Sequence, residues 1–320
     1  MPLTFIKKNK KKQRQKRFVI GSTIALSLIA SVGYWYVFVA GVPQLDAPPI
    51  EEVRGLNFQV KSFYSEAMGQ ERRYGVILPP GYEHHPTRRY PVIFLLHGGH
   101  GSENDYQKKA GITAILKDLY TEKRLASAIV ITPDGNDNRG TSPFWDSEYF
   151  DGPNGKVSTL IGSDLVKEVK KEFRAINDPS YWAIGGLSSG AWGAFNIGLR
   201  HINAFHIIFG HTGYYIDKSG DQNSPQTFIE TLPPDQLKKL RIYLDAGKDD
   251  QKFFNATKDF HDTLDRLGVY NEFYEFPGGH ELAVGENNGW NYWRQHLKDS
   301  LSFVERQYKA AQDAKKHKHH

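Results

Sequence analysis

The stretch YWAIGGLSSGAWGAFNIGL, Tyr181 to Leu199, constrains this chain more than any other. An apolar, β-rich run enters two adjacent serines between glycines and leaves as small residues at helical spacing. A strand that turns this sharply into a helix needs residues without side chains near the corner. A parallel, buried strand followed by a helix is therefore the expected unit.

The same rhythm repeats along the chain. YPVIFLLHGG, ASAIVITPDG, AFHIIFGHTG, LRIYLDAGKDD and NEFYEFPGGH are apolar runs ending in glycine-bearing loops. Between them, GITAILKDLYTEKRL, SDLVKEVKKEFRAI and FNATKDFHDTLDRLG carry helical spacing. Ser163 is the expected N-cap of the second of these, and Gly268 the stop of the third. Ahead of them, LNFQVKSFYS and ERRYGVILP alternate as an antiparallel pair turning near Gly69. The pattern predicts an α/β fold, a mostly parallel central sheet with helices on both faces. Ligands in such sheets bind beyond the carboxyl ends of the strands.

Which serine matters follows from the glycines. A nucleophile elbow requires Gly-x-Ser-x-Gly between strand and helix. Only Gly186-Leu187-Ser188-Ser189-Gly190 fits, because Leu187 and Ala191 flank Ser189 at those offsets. Ser188 is the candidate nucleophile, and the Ser189 amide is a candidate oxyanion donor. A hydroxyl needs a base, and an elbow serine is followed along the chain by acid and then histidine. His280, in PGGH after a strand, is the candidate base. Asp250 is the candidate acid, with Asp249 the close alternative and Asp245, still on its strand, less suited. LLHGGHG, Leu95 to Gly101, offers glycine amides to an anion, and Gly99 is the second expected oxyanion donor. His97 and His100 have H-x-x-H spacing but no accompanying carboxylate, so they are expected to brace this loop and not to hold metal. Phe144, Trp145, Tyr149 and Phe150, in the long loop Asp134 to Gly152, either stack on a sugar or aromatic acyl group or cover the sheet.

These residues resemble the esterase D-like family of α/β hydrolases. That family includes S-formylglutathione hydrolases, feruloyl and acetylxylan esterases, enterochelin esterases and mycolyltransferases. The likeness runs from Asn57 to Val304. It rests on RRYPVIFLLHGGHGSENDY, GGLSSGAWGAFNIGL, the ITPDG strand end and PGGHELAVGENNGWNYWRQHL. DAGKDDQ is similar to an acid loop whose second aspartate belongs to the triad, which implies Asp250. Two departures stand out: an added LAVGENNG after the histidine, and Ser189 where methionine is common. The resemblance implies an α/β-hydrolase fold and a serine esterase working through an acyl-enzyme without metal or cofactor. Its substrate would be a small-molecule or carbohydrate ester. Acyl transfer to an alcohol by the same triad, or a non-catalytic surface role on the same scaffold, are the rival expectations.

The amino-terminal region sets location. Phe18 to Ala40 is 23 residues without a charge, about 34 Å as a helix against roughly 30 Å of bilayer hydrocarbon. Tyr34, Trp35 and Tyr36 fall near its far end, where an interfacial belt is expected. The stretch exceeds a signal-peptide core and lacks a good A-x-A site, so a retained transmembrane helix is favoured over a cleaved signal. Eight basic residues from Lys7 to Arg17 precede it, which sets the bulk of the chain outside the cytoplasm. Without those eight, 33 Lys and Arg face 36 Asp and Glu. The body is thus slightly acidic, which argues against nucleic-acid binding. No cysteine occurs, so disulfides, thiolate metal sites and a cysteine nucleophile are excluded. The expected segments are a basic tip at 1–17, a signal-anchor helix at 18–40, a proline-bearing linker at 41–53, the catalytic domain at 54–308 and a polar tail at 309–320.

Overall fold

The computed structural model describes residues 3–35, 53–142, 144–280 and 286–317. The end of the expected anchor at 36–40, most of the linker and the last three residues lie outside the described residues. The chain divides into two compact units, residues 1–43 and 44–320.

The first unit holds helix α1, Leu3–Tyr34. Within it Gln15–Tyr34 is long and apolar enough to cross a membrane. Its large apolar side chains, Phe18, Ile24, Leu26 and Ile29 among them, are exposed.

The second unit is built on one eight-stranded sheet. Strands β1 (Phe58–Ser65) and β2 (Gln70–Ile77) form the antiparallel pair, turning where Gly69 takes a positive φ. Then come β3 (Val92–Leu96), α2 (Ile112–Thr121) and β4 (Ile129–Pro133). A two-residue ladder, β5 (Asp151–Gly152) with β6 (Gly155–Lys156), leads into α3 (Val157–Thr159) and α4 (Leu165–Glu172). Strand β7 (Trp182–Leu187), α5 (Ser189–Gly198) and β8 (Ile207–His211) follow. The short helices α6 (Pro225–Phe228) and α7 (Pro234–Leu237) precede β9 (Arg241–Gly247) and α8 (Gln251–Arg266). Strand β10 (Asn271–Phe276) and α9 (Trp290–His317) complete the unit.

The spatial order is β1-β2-β4-β3-β7-β8-β9-β10. Strand β2 runs antiparallel to β4, and from β4 to β10 every pairing is parallel. Side chains alternate across the sheet. Val92, Phe94 and Leu96 of β3 join one core with α4, α5 and α8, whereas Ile93 and Leu95 join the other with α2 and α9. Each residue of β3, β4, β7 and β8 is therefore buried, on whichever face. The parallel order sets the carboxyl ends of β3, β7, β8, β9 and β10 on one rim.

One helix boundary differs from expectation. Ser163 is not a cap: it lies in a wide π turn, Leu160–Asp164, that joins α3 to α4 without a break. The helix begins at Val157, because Val157, Leu160 and Ile161 already bury an apolar face there. At the other end α9 carries helix through 309–317, with Lys315 pairing with Asp178 at 2.6 Å.

Candidate active site

Ser188 sits at the corner between β7 and α5, with φ +54° and ψ −123°. A side-chain-bearing residue there is strained by about 1–3 kcal/mol, so the surroundings must enforce it. The Ser188 amide donates to the His211 carbonyl of the neighbouring strand at 3.0 Å. The Ser188 carbonyl accepts from Ala191 and Trp192, at 2.9 and 3.2 Å. The flanking glycines are demanded by contact: a β-carbon on Gly186 would stand 2.3 Å from the Gly190 carbonyl oxygen. One on Gly190 would stand 2.2 Å from the Leu96 carbonyl oxygen. The corner closes against both itself and β3 only because neither residue has a side chain.

His280 follows β10 and reaches back across the rim. Its Nε2 lies 2.8 Å from Ser188 Oγ. The Phe253 ring stacks on the imidazole at 4.4 Å and 14°, and Trp293 meets it edge-on at 5.4 Å. Trp293 is itself anchored by its indole N–H, which donates to Thr212 Oγ1 at 2.8 Å. Burial holds the His280 pKa below the ordinary histidine value. Asp250 and then Asp146 oppose that shift, and Lys252 adds to it. A depressed pKa keeps the imidazole neutral at pH 7, the form able to take a proton from Ser188.

The three aspartates occupy different settings. Asp250 caps α8, its Oδ1 accepting from the Phe253 amide at 3.4 Å. It is the strongest charge acting on His280, yet no Asp250–His280 hydrogen bond is formed. Asp249 instead ties two loops together, its Oδ2 accepting from the Gly278 amide at 2.8 Å. Its own amide donates to the Gly278 carbonyl at 3.1 Å. Asp245 is fully buried, bound to His211 Nδ1 at 2.6 Å and accepting from Tyr292 OH at 2.9 Å. His211 Nε2 in turn lies 3.0 Å from Ser300 Oγ. A second serine–histidine–aspartate set therefore lies sealed beneath the elbow.

The loop after β3 is braced from several sides. His97 Nε2 accepts from the Gly135 amide at 3.0 Å, so its Nδ1 carries the proton given to the Gly98 carbonyl at 2.8 Å. Tyr149 OH donates to the His97 carbonyl at 2.8 Å, and Tyr106 OH to that of Leu96 at 3.1 Å. His100 Nδ1 binds the Ser142 carbonyl at 2.7 Å. Among the described residues, neither the Gly99 nor the Ser189 amide donates to a protein acceptor. Both remain available to an incoming oxygen.

The four loop aromatics divide. Tyr149 is fully buried, and Phe150 packs on Trp192 at 6.2 Å, so both serve the core. Trp145 donates to the Gly140 carbonyl at 3.0 Å beneath the Arg139 guanidinium. Phe144 is 79% exposed. Asp146, in the same loop, is a residue the sequence alone does not single out. Its Oδ2 lies 3.4 Å from Ser189 Oγ and its Oδ1 3.5 Å from His100 Nε2. Nothing in FWDSEYF marks that residue; the loop's return over the rim brings it there.

Sheet order, flanking helices and elbow define an α/β hydrolase. The profile of the putative esterase family matches residues 65–304, and the chain belongs to that family. An esterase of Mycobacterium tuberculosis is 25% identical over 261 residues, covering 68% of this chain and 54% of the relative. The chain spans about half the length of such curated relatives. Among solved structures, a ferulic acid esterase superposes with a TM-score of 0.70 at 24% identity, covering 79% of this chain and 99% of that one. A ferulic acid esterase from Anaeromyces mucronatus, solved with ferulic acid, gives 0.60 at 18% identity, with 81% and 94% covered.

Proposed function

We propose that the chain is a serine carboxylic-ester hydrolase acting through Ser188, His280 and Asp250. The observation that carries the proposal is the 2.8 Å approach of His280 Nε2 to the hydroxyl of a strained, glycine-flanked elbow serine. Ser188 Oγ attacks the ester carbonyl as His280 Nε2 takes its proton. The oxyanion forms against the Gly99 and Ser189 amides, each worth on the order of 3 kcal/mol in the transition state. His280 then protonates the departing alcohol, and water attacks the acyl-enzyme by the reverse proton route. Asp250, by turning from its cap toward Nδ1, would fix the tautomer and stabilise the imidazolium.

Acyl groups on carbohydrates are the proposed substrates. Support comes from exposed Phe144 beside the rim and from the ferulic acid esterases of similar fold. The amino-terminal helix is proposed as a retained anchor, with 54–308 as a catalytic domain outside the cytoplasmic membrane. The basic residues in the first half of α1, ahead of its apolar stretch, support that orientation.

A fluorophosphonate probe tests the central claim. Native protein should label on Ser188 and hydrolyse short acyl, feruloyl or acetylated-sugar esters. Absence of an adduct on folded protein would sink the proposal.

A further inference from the structure

The carboxylate of Asp146 is out of place for a site that must stabilise negative charge. A β-carbon built on Gly99 would stand 1.8 Å from Asp146 Oδ1, so the carboxylate lies directly against the Gly99 backbone. On its other side Oδ2 approaches the Ser189 hydroxyl at 3.4 Å. These two residues supply the amides proposed to receive the oxyanion. The carboxylate therefore borders the place where substrate oxygen must sit, and its charge is felt at His280.

No lysine or arginine pairs with Asp146 among the described residues. The basic group in reach is His100, whose Nε2 stands 3.5 Å away while its Nδ1 is committed to the Ser142 carbonyl. The Asp146 side chain is 52% exposed, so it faces what enters the cleft. Its position is nonetheless built: the 2.7 Å His100–Ser142 bond and the Trp145 indole bond to Gly140 hold the loop on both sides. A fixed carboxylate beside an oxyanion hole slows every reaction unless the substrate brings compensation.

We infer that Asp146 sorts esters by charge: it admits substrates presenting hydroxyl or ammonium donors beside the reacting carbonyl and rejects those carrying a carboxylate or phosphate there. The inference rests on the esterase reading and adds the substrate's charge class to it. Polyhydroxylated alcohols fit, since a sugar hydroxyl can donate to Asp146 Oδ1 as the ester carbonyl turns toward the Gly99 amide. Rejection of anions needs no clash; one unit charge held near another in a partly exposed cleft is sufficient.

The experiment uses the full chain and two matched series. One holds acetates of phenols bearing a nitro, a carboxylate or a trimethylammonium group. The other holds nitrophenyl esters whose acyl chains end in methyl, carboxylate or trimethylammonium. For each ester, kcat/KM of Asp146→Asn is divided by that of wild type, which cancels leaving-group effects and any uniform gain. In at least one series, the quotient for the carboxylate ester should exceed that for the neutral one about tenfold, and the trimethylammonium ester should fall about tenfold below it. Wild-type discrimination should shrink as salt is raised. Equal quotients across charges in both series overturn the inference while leaving the esterase reading intact. If Ser188→Ala hydrolyses the neutral ester as fast as wild type, the esterase reading itself falls.

Discussion

Two serine–histidine–aspartate sets lie close together in this fold. Ser188 and His280 meet at 2.8 Å on the rim, whereas Ser300, His211 and Asp245 connect at 3.0 and 2.6 Å inside the core. By distance alone the inner set is the better triad. It differs in access and in backbone: Ser300 lies buried within α9, and its hydroxyl also donates to the Leu297 carbonyl. Ser188 stands at positive φ at the rim, next to the amides proposed as oxyanion donors. Strain and opening, not residue identity, are what separate the serine proposed as nucleophile from the buried one. The inner set has another task, because the His211 carbonyl receives the Ser188 amide.

Removing the two serines should separate the sets most sharply. Ser188→Ala should lower kcat/KM by about 10⁴–10⁶-fold, and Ser300→Ala should leave it within a few fold; ester hydrolysis by the purified variants is the measurement. The acids come next. Asp250→Asn should cost about 10²–10⁴-fold in kcat, and Asp249→Asn much less, since its loss removes a loop tie. The reverse order in steady-state assays would move the acid role to Asp249.

Breaking the inner set should cost stability more than chemistry. His211→Ala removes the 2.6 Å partner of the buried Asp245 carboxylate. About 3–5 kcal/mol of unfolding free energy should be lost in urea melts, as for other broken buried pairs. A smaller effect concerns pH. Burial lowers the pKa of His280, His201 and His206. The unfolded chain then binds protons that the folded one refuses, so stability should fall as pH drops from about 6.5 toward the folded values. The acid limb of kcat/KM should correspondingly have its midpoint below the ordinary histidine pKa, because only neutral His280 accepts the serine proton.

Local features were readable in the sequence, and encounters between distant segments were not. Gly186 and Gly190 flag Ser188 because backbone clash is a short-range fact. The mostly parallel sheet with helices on both faces follows from runs such as Val92 to Leu96, buried on both faces. By contrast, Ser163 resembles a cap by its polarity, but the helix starts earlier because Val157, Leu160 and Ile161 already bury a face there. Tyr149 is open in sequence between a stacking platform and a cover for the sheet, and its burial, with its hydroxyl on the His97 carbonyl, decides for the cover. Asp146 and the His211–Asp245 pair carry no local signature. Each depends on which segments fold against one another.

The squeeze between Gly186, Gly190 and β3 also bears on how such proteins change over time. A lineage that abandoned such hydrolysis could lose the Ser188 hydroxyl, but a methyl group at either glycine would prise the elbow from its neighbour. Descendants retired from chemistry should therefore keep the two glycines long after the hydroxyl is gone, a fossil of the lost reaction.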